Sequence, residues 1–121
     1  MAAGVLNLTG LSAIEQGASY SHTLTVANGA VPLDLTPYTI RSQIRAEYSD
    51  VAPLVAFTCT KITAVSGIFS ISLTPAQTSL LAPTGYQYYK YDIELEHTDT
   101  SVIRLISGVV EVTAEATRPI I

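Results

Sequence analysis

The chain has 121 residues, a length that fits one domain able to bury its own core without disulfide or metal staples. Its formal net charge is −4 and its six basic residues are scattered, so no basic stripe exists to replace counterions at nucleic-acid phosphates or to hold an anionic membrane surface. Charged residues make up only 13% of the chain, well under the usual share; two explanations fit, a surface largely covered by neighbours, or a β-rich chain using Ser and Thr where others use Lys and Glu.

Met1 to Leu6 lack the charged start and long apolar stretch of a targeting signal, and residues 1–10 are expected to form an N-terminal arm. Between Ala18 and Val26, Tyr20, His22, Leu24 and Val26 alternate with Ser19, Ser21, Thr23 and Thr25. That period of two is what a strand with one buried face requires. Asn28-Gly29 marks a turn, because both residues tolerate positive φ. Val31 to Thr36 runs into Pro37 and reads as an edge or connector. Thr39 to Ala46 alternates again, with Ile40, Ser42, Ile44 and Ala46 on one face and Arg41, Gln43 and Arg45 turned to solvent or a partner.

A loop at Tyr48-Ser49-Asp50 closes at Pro53. Leu54 to Thr60 reads as one strand, with Lys61 to Ala64 as its continuation, and Ser66-Gly67 turns the chain. Ile68 to Leu73 follows, with Phe69, Ile71 and Leu73 on its apolar face. One short helix is expected at residues 75–81: Thr74 is a good N-cap, Pro75 suits the first helical position and Gln77 completes a capping box. It is expected to plug one end of the fold through Leu80 and Leu81.

Two long strands close the domain. Tyr86 to His97 places Tyr89, Tyr91, Ile93 and Leu95 on one face and Tyr86, Tyr88, Lys90, Asp92, Glu94 and Glu96 on the other. After a hairpin at Thr98-Asp99-Thr100, Ser101 to Ala114 pairs back, with Ser107-Gly108 the expected bulge. The expectation is an all-β antiparallel sandwich of seven to eight strands over residues 11–116, followed by a tail at 117–121. No apolar run approaches the ~20 residues of a membrane span.

Chemistry-bearing residues are sparse. The single cysteine, Cys59, lies in an apolar run and is expected to pack as a small hydrophobe. His22 sits on an apolar strand face, and His97 has Glu94, Glu96 and Asp99 nearby, but Glu96 and His97 fall on opposite faces of a strand, short of a convergent ligand set. Asp92, Glu94 and Glu96 form an acidic stripe, read as a solvated face rather than the carboxylate pair of a glycosidase. There is no G-x-S-x-G elbow and no Gly-rich phosphate loop. No catalytic residue, metal site or cofactor is expected, and the chain is not expected to be an enzyme.

Four tyrosines fall within six residues, at 86, 88, 89 and 91. Tyrosine buries a large area while keeping a polar tip, which suits interfaces; it is also a good strand former. Tyr86 and Tyr88 are candidate interface residues, with Arg41, Arg45 and the apolar end Pro119-Ile120-Ile121.

Several segments, taken in order, carry a resemblance. They are Asn7-Leu8-Thr9, Ile14-Glu15-Gln16-Gly17-Ala18-Ser19-Tyr20, the stretch from Pro32 to Arg45, Leu73-Thr74-Pro75-Ala76-Gln77-Thr78, Tyr89 to Leu95, and Arg104 to Val112. The series resembles small virion structural proteins of tailed bacteriophages, and is similar to the N-terminal domains of phage baseplate upper proteins. The resemblance implies an immunoglobulin-like β-sandwich acting as an adaptor, connector or decoration, with no catalytic residues. No fibre or receptor-binding extension follows the last expected strand, so a stand-alone host-binding role is not expected.

The function expected is therefore that of a non-enzymatic subunit of a tail, baseplate or fibre-attachment region, made in the host bacterial cytoplasm and residing in the virion. Its partners would be other virion proteins and symmetry-related copies of itself, met through the tyrosine strand, the edge strands and the two ends. The alternatives are a capsid decoration (cement) protein and a carbohydrate-binding module using Tyr86, Tyr88 and the acidic stripe.

Overall fold

The computed structural model describes residues 4–84 and 87–116. The alternating segments become strands with their apolar residues inward. In chain order these are β1 (Gly4–Val5), β2 (Ile14–Glu15), β3 (Tyr20–Thr25), β4 (Ala27–Asn28), β5 (Val31–Pro32), β6 (Tyr38–Arg45), β7 (Val55–Ala56), β8 (Thr58–Thr63), β9 (Ile68–Leu73), the helix α1 (Pro75–Ser79), β10 (Tyr89–His97), β11 (Val102–Val110) and β12 (Val112–Thr113). The fold is mostly β and largely antiparallel. A five-stranded sheet has the order β1-β11-β10-β6-β7, a three-stranded sheet the order β3-β9-β8, and β12-β2 and β4-β5 form two small pairs. β1 with β11 and β12 with β2 are the parallel pairings.

One core serves both larger sheets. Tyr20, Phe69, Ile71 and Leu73 enter it from the three-stranded sheet, and Ile44, Tyr91, Ile93 and Leu95 from the five-stranded one. Burying such side chains removes apolar surface from water at roughly 25 cal/mol per Å², and this supplies most of the drive for the period-two pattern.

The run from Leu54 to Thr60 is not one strand. β7 pairs with β6 through Gln43↔Ala56 and Ile44↔Val55, and the Phe57 N–H donates to the Ser42 carbonyl at 3.0 Å. From Thr58 the chain pairs with β9 instead. The crossing is made at Phe57, whose ring lies 6.1 Å from Tyr20 on one side and 6.1 Å from Tyr91 on the other. Anchoring this aromatic ring between the two sheets carries the backbone from one to the other. The expected continuation past Thr60 is present, to Thr63.

The bulge also lies elsewhere. Ile93 faces Ile106 while Glu94 faces Arg104, so Leu105 is the extra residue. Consecutive Leu105 and Ile106 thereby both pack against the core. Gly108 stays in register opposite Tyr91. Its glycine is required by the N-terminal segment: a Cβ there would stand 2.2 Å from the Leu6 carbonyl oxygen.

Residues 4–10 are part of the fold rather than an arm. Leu6 and Leu8 donate to the carbonyls of Ser107 and Val109, Glu111 donates back to Leu8, and the Gly10 N–H meets the Glu111 carboxylate at 2.8 Å. Leu8 is fully buried. The apolar positions 6 and 8 explain why: they complete the core beside β11.

The capping box at Thr74 and Gln77 forms as expected, but α1 ends at Ser79. Leu81 is buried and Leu80 is 70% exposed, so only one of the two expected plug residues packs. Buried Thr78 takes the other role. β10 begins at Tyr89 rather than Tyr86, leaving Tyr88 before the strand. The expected strand from Ser101 to Ala114 divides into β11 and β12 at Glu111. Gly85, Tyr86 and the expected tail at 117–121 lie outside the described residues.

Candidate functional site

The outward face of the five-stranded sheet gathers four of the six basic residues, Arg41, Arg45, Lys90 and Arg104, with Asp92, Glu94 and Glu96. The ladder sets Arg41 opposite Glu94, Gln43 opposite Asp92 and Arg45 opposite Lys90, with Arg104 across from Glu94 on the other side. Arg41 Nε donates to Glu94 Oε1 at 2.9 Å and its Nη1 lies 3.7 Å from Glu96 Oε2. Arg104 Nε lies 3.4 Å from Asp92 Oδ2. Arg45 bonds the Gln43 side chain at 2.9 Å and the Asp50 carbonyl at 2.8 Å, and Lys90 Nζ donates to the Tyr88 carbonyl at 3.0 Å. The acidic stripe of the sequence is thus enclosed by cations from β6 and β11. A chain of net negative charge carries here a nearly balanced patch.

Asp92 and Glu94 are the more enclosed of these carboxylates, each with a side chain 26% exposed. Burial raises the Asp92 pKa above the ordinary aspartate value, neighbouring Glu94 adds to the rise, and Arg104, Arg45 and Arg41 oppose it. Arg41, Ser42, Gln43, Asp92 and Glu94 line a shallow polar depression of about 240 Å³. The Ser42 hydroxyl is turned under the sheet, donating to the Asp92 carbonyl at 2.6 Å.

One margin of this face is apolar. The connection from β6 to β7 exposes Tyr48, Val51 and Leu54, with Val51 at full exposure. The loop is fastened: Glu47 donates to the Asp50 carboxylate at 3.1 Å, Asp50 N–H returns to the Glu47 carbonyl at 3.1 Å, and Leu54 donates to Ile44 at 2.8 Å. Arg45 ties it to the sheet through Asp50. A held loop thus presents apolar side chains beside matched charges.

The tyrosines are spent mainly inside the fold. The hydroxyls of Tyr20, Tyr89 and Tyr91 donate to the carbonyls of Ser12, Ala82 and Leu6 at 3.0, 2.8 and 2.5 Å. Tyr88 is half-buried, and Arg41 and Arg45 are engaged within the sheet. Of the candidate interface residues, Arg41 and Arg45 therefore share one face, Tyr88 adjoins it through Lys90, and Tyr86, Pro119, Ile120 and Ile121 lie outside the described residues.

Elsewhere the reactive groups are occupied or shielded. Burial pushes the Cys59 thiol up to about 11. His97 Nδ1 accepts from the Asp99 N–H at 3.2 Å, and its ring meets Tyr38 edge-on at 5.1 Å. Among the described residues, no three His, Cys, Asp or Glu side chains converge as metal ligands. No helix there is long and apolar enough to cross a membrane. No family model matches the chain, and no curated protein matches it significantly.

Proposed function

We propose that this chain is a non-enzymatic structural subunit of a tailed-bacteriophage virion, an adaptor of the tail, baseplate or fibre-attachment region that docks through the charge-balanced face and its apolar margin. The observation that carries the docking role is the fastened loop exposing Tyr48, Val51 and Leu54 beside the Arg41–Glu94 and Arg104–Asp92 pairs. The ordered resemblance of segments along the chain supports the virion. An immunoglobulin-like sandwich is the finer fold reading, supported by the shared core of the two larger sheets, the crossing at Phe57 and the parallel pairing of the first strand with the penultimate one.

The site of synthesis in this reading is the host cytoplasm, and the partners are other virion proteins and further copies of the chain. Quantitative mass spectrometry of purified particles tests it. A fixed copy number matching a tail ring is the expected result. A copy number matching the capsid shell replaces the tail role by capsid decoration, and absence from washed particles removes the virion role altogether.

A further inference from the structure

β3 is an open edge. It pairs with β9 alone among the described residues. Just beyond it, the Val26 N–H donates to the Gly67 carbonyl at 2.8 Å. In an antiparallel pair the bonded residues alternate, so Tyr20, His22 and Leu24 bond to β9. The amides and carbonyls of Ser21, Thr23 and Thr25 then point away from the sheet. Edges of this length are ordinarily blunted by lysine, proline, a bulge or a covering loop. β3 has no lysine, no proline and an unbroken register with β9.

We propose that this edge pairs with the same edge of a second copy, antiparallel about a two-fold axis through Thr23. In that register Thr23 faces its own equivalent and Ser21 faces Thr25, which matches outward amides with outward carbonyls. On the outer face it sets hydroxyl against hydroxyl, a favourable cross-strand pairing. On the inner face it sets His22 against Leu24, covering two half-buried side chains at the rim.

Charge selects a second copy as the occupant. Behind the edge, Ser70 and Ser72 on β9 and Thr58 and Thr60 on β8 continue the hydroxyl face, so the outward rows opposite Ser21 and Thr23 carry no ionisable group. A strongly charged foreign strand finds no counter-charge there. Two copies carry the same net charge of −4, but the neutral rows put no like charges directly opposite one another at this edge. One strand pairing covers less than the roughly 1,600 Å² of a standard stable interface, so the dimer is concentration-dependent. The inference is independent of the virion reading, because purified protein alone tests it.

The test is analytical ultracentrifugation across the soluble concentration range, with circular dichroism to verify folding. The wild-type mass rises from one chain towards two. Thr23→Lys and Thr23→Glu each remain single chains, because the two-fold axis opposes like charges, and their equimolar mixture dimerises again. Thr23→Pro, which removes an amide pointing away from β9, also remains single and serves if either charged variant misfolds. A wild-type mass constant at one chain, dimerisation of Thr23→Lys or Thr23→Pro equal to wild type, or failure of two folded charged variants to recombine would each overturn the proposal.

Discussion

The Tyr91 hydroxyl donates to the Leu6 carbonyl at 2.5 Å, across 85 positions of sequence. The same carbonyl lies over Gly108, the cross-strand partner of Tyr91. A tyrosine, a glycine and one backbone oxygen thus lock the start of the described chain onto β10 and β11. Burial pushes the Tyr91 pKa well above the usual tyrosine value, with Tyr20 and Tyr48 adding to the rise, so the hydroxyl stays a donor throughout the neutral range.

Tyr91→Phe removes the donor and keeps the ring. The expected loss of stability is about 1–2 kcal/mol, the cost of a broken hydrogen bond that strands a partly buried carbonyl. A urea titration reads it as a lower midpoint at unchanged slope. Hydrogen exchange should quicken at Leu6 and Leu8; unchanged exchange there would mean that the bond does not hold the segment.

Gly108→Ala is expected to be worse. The new methyl group collides with backbone, which has no rotamer to yield, and overpacking of this kind costs roughly 1–3 kcal/mol. Relief comes by lifting residues 4–8 from β11. Limited proteolysis should then cut near the N-terminus of the variant and spare the wild type.

Thr78→Val tests the helix anchor. The Thr78 hydroxyl accepts from the Gly17 N–H at 3.0 Å and donates to the Ala18 carbonyl at 2.9 Å. Valine fills the same volume and leaves both groups without that partner, at a cost of about 1–3 kcal/mol. A thermal melt within experimental error of wild type would exclude the anchor.

Much of this was legible in the sequence, and its failures have physical causes. Alternation located β3, β6, β9 and most of β10, because each presents one face to a single core. It was silent at Leu54 to Thr60, where nearly every residue suits a strand and no period tells which sheet is the neighbour; only the packing of Phe57 decides. Gly108 read as a bulge because a strand glycine has two usual causes, and close approach of Leu6 is a tertiary fact. Arg41 and Arg45 were placed on the correct face. Their engagement with Glu94, Gln43 and Asp50 depends on strand order, which composition does not encode. Tyr89 and Tyr91 were placed on the apolar face, but alternation says nothing of where their hydroxyls go, to the Ala82 and Leu6 carbonyls.

Alkaline pH should loosen the fold. Burial raises Cys59 from its ordinary value near 9 to about 11 and Tyr20 from near 10 to about 12. The unfolded chain therefore releases these protons first. Their contribution is fully present below about pH 9 and is lost as pH rises towards 12. Urea midpoints measured across this window should fall steadily, and Cys59→Ala should flatten the portion between about 9 and 11. A thiol held protonated in this way should also react slowly with alkylating reagents at neutral pH.

The proposed docking surface makes a contrasting prediction. Val51→Asp alters a fully exposed side chain, so stability should move by no more than about 0.5 kcal/mol; Tyr48→Ser also removes the hydroxyl's 3.4 Å bond to the Gly108 carbonyl and should cost about 0.5–1.5 kcal/mol. Arg41→Ala breaks a half-exposed pair and should cost less than about 1 kcal/mol. All three variants should nevertheless compete poorly with wild type for incorporation into particles; equal incorporation would place the contact elsewhere.

Cross-linking mass spectrometry on intact particles puts the central claim to its most direct test. Lys90 stands on the charge-balanced face, while Lys61 reaches the Thr36 carbonyl away from it. The account predicts that Lys90 becomes linked to a different virion protein at a peptide recovered reproducibly from assembled particles and lost on their dissociation. Particles in which Lys90 yields only solvent-quenched, mono-linked products, with all inter-protein links coming from Lys61, would contradict it.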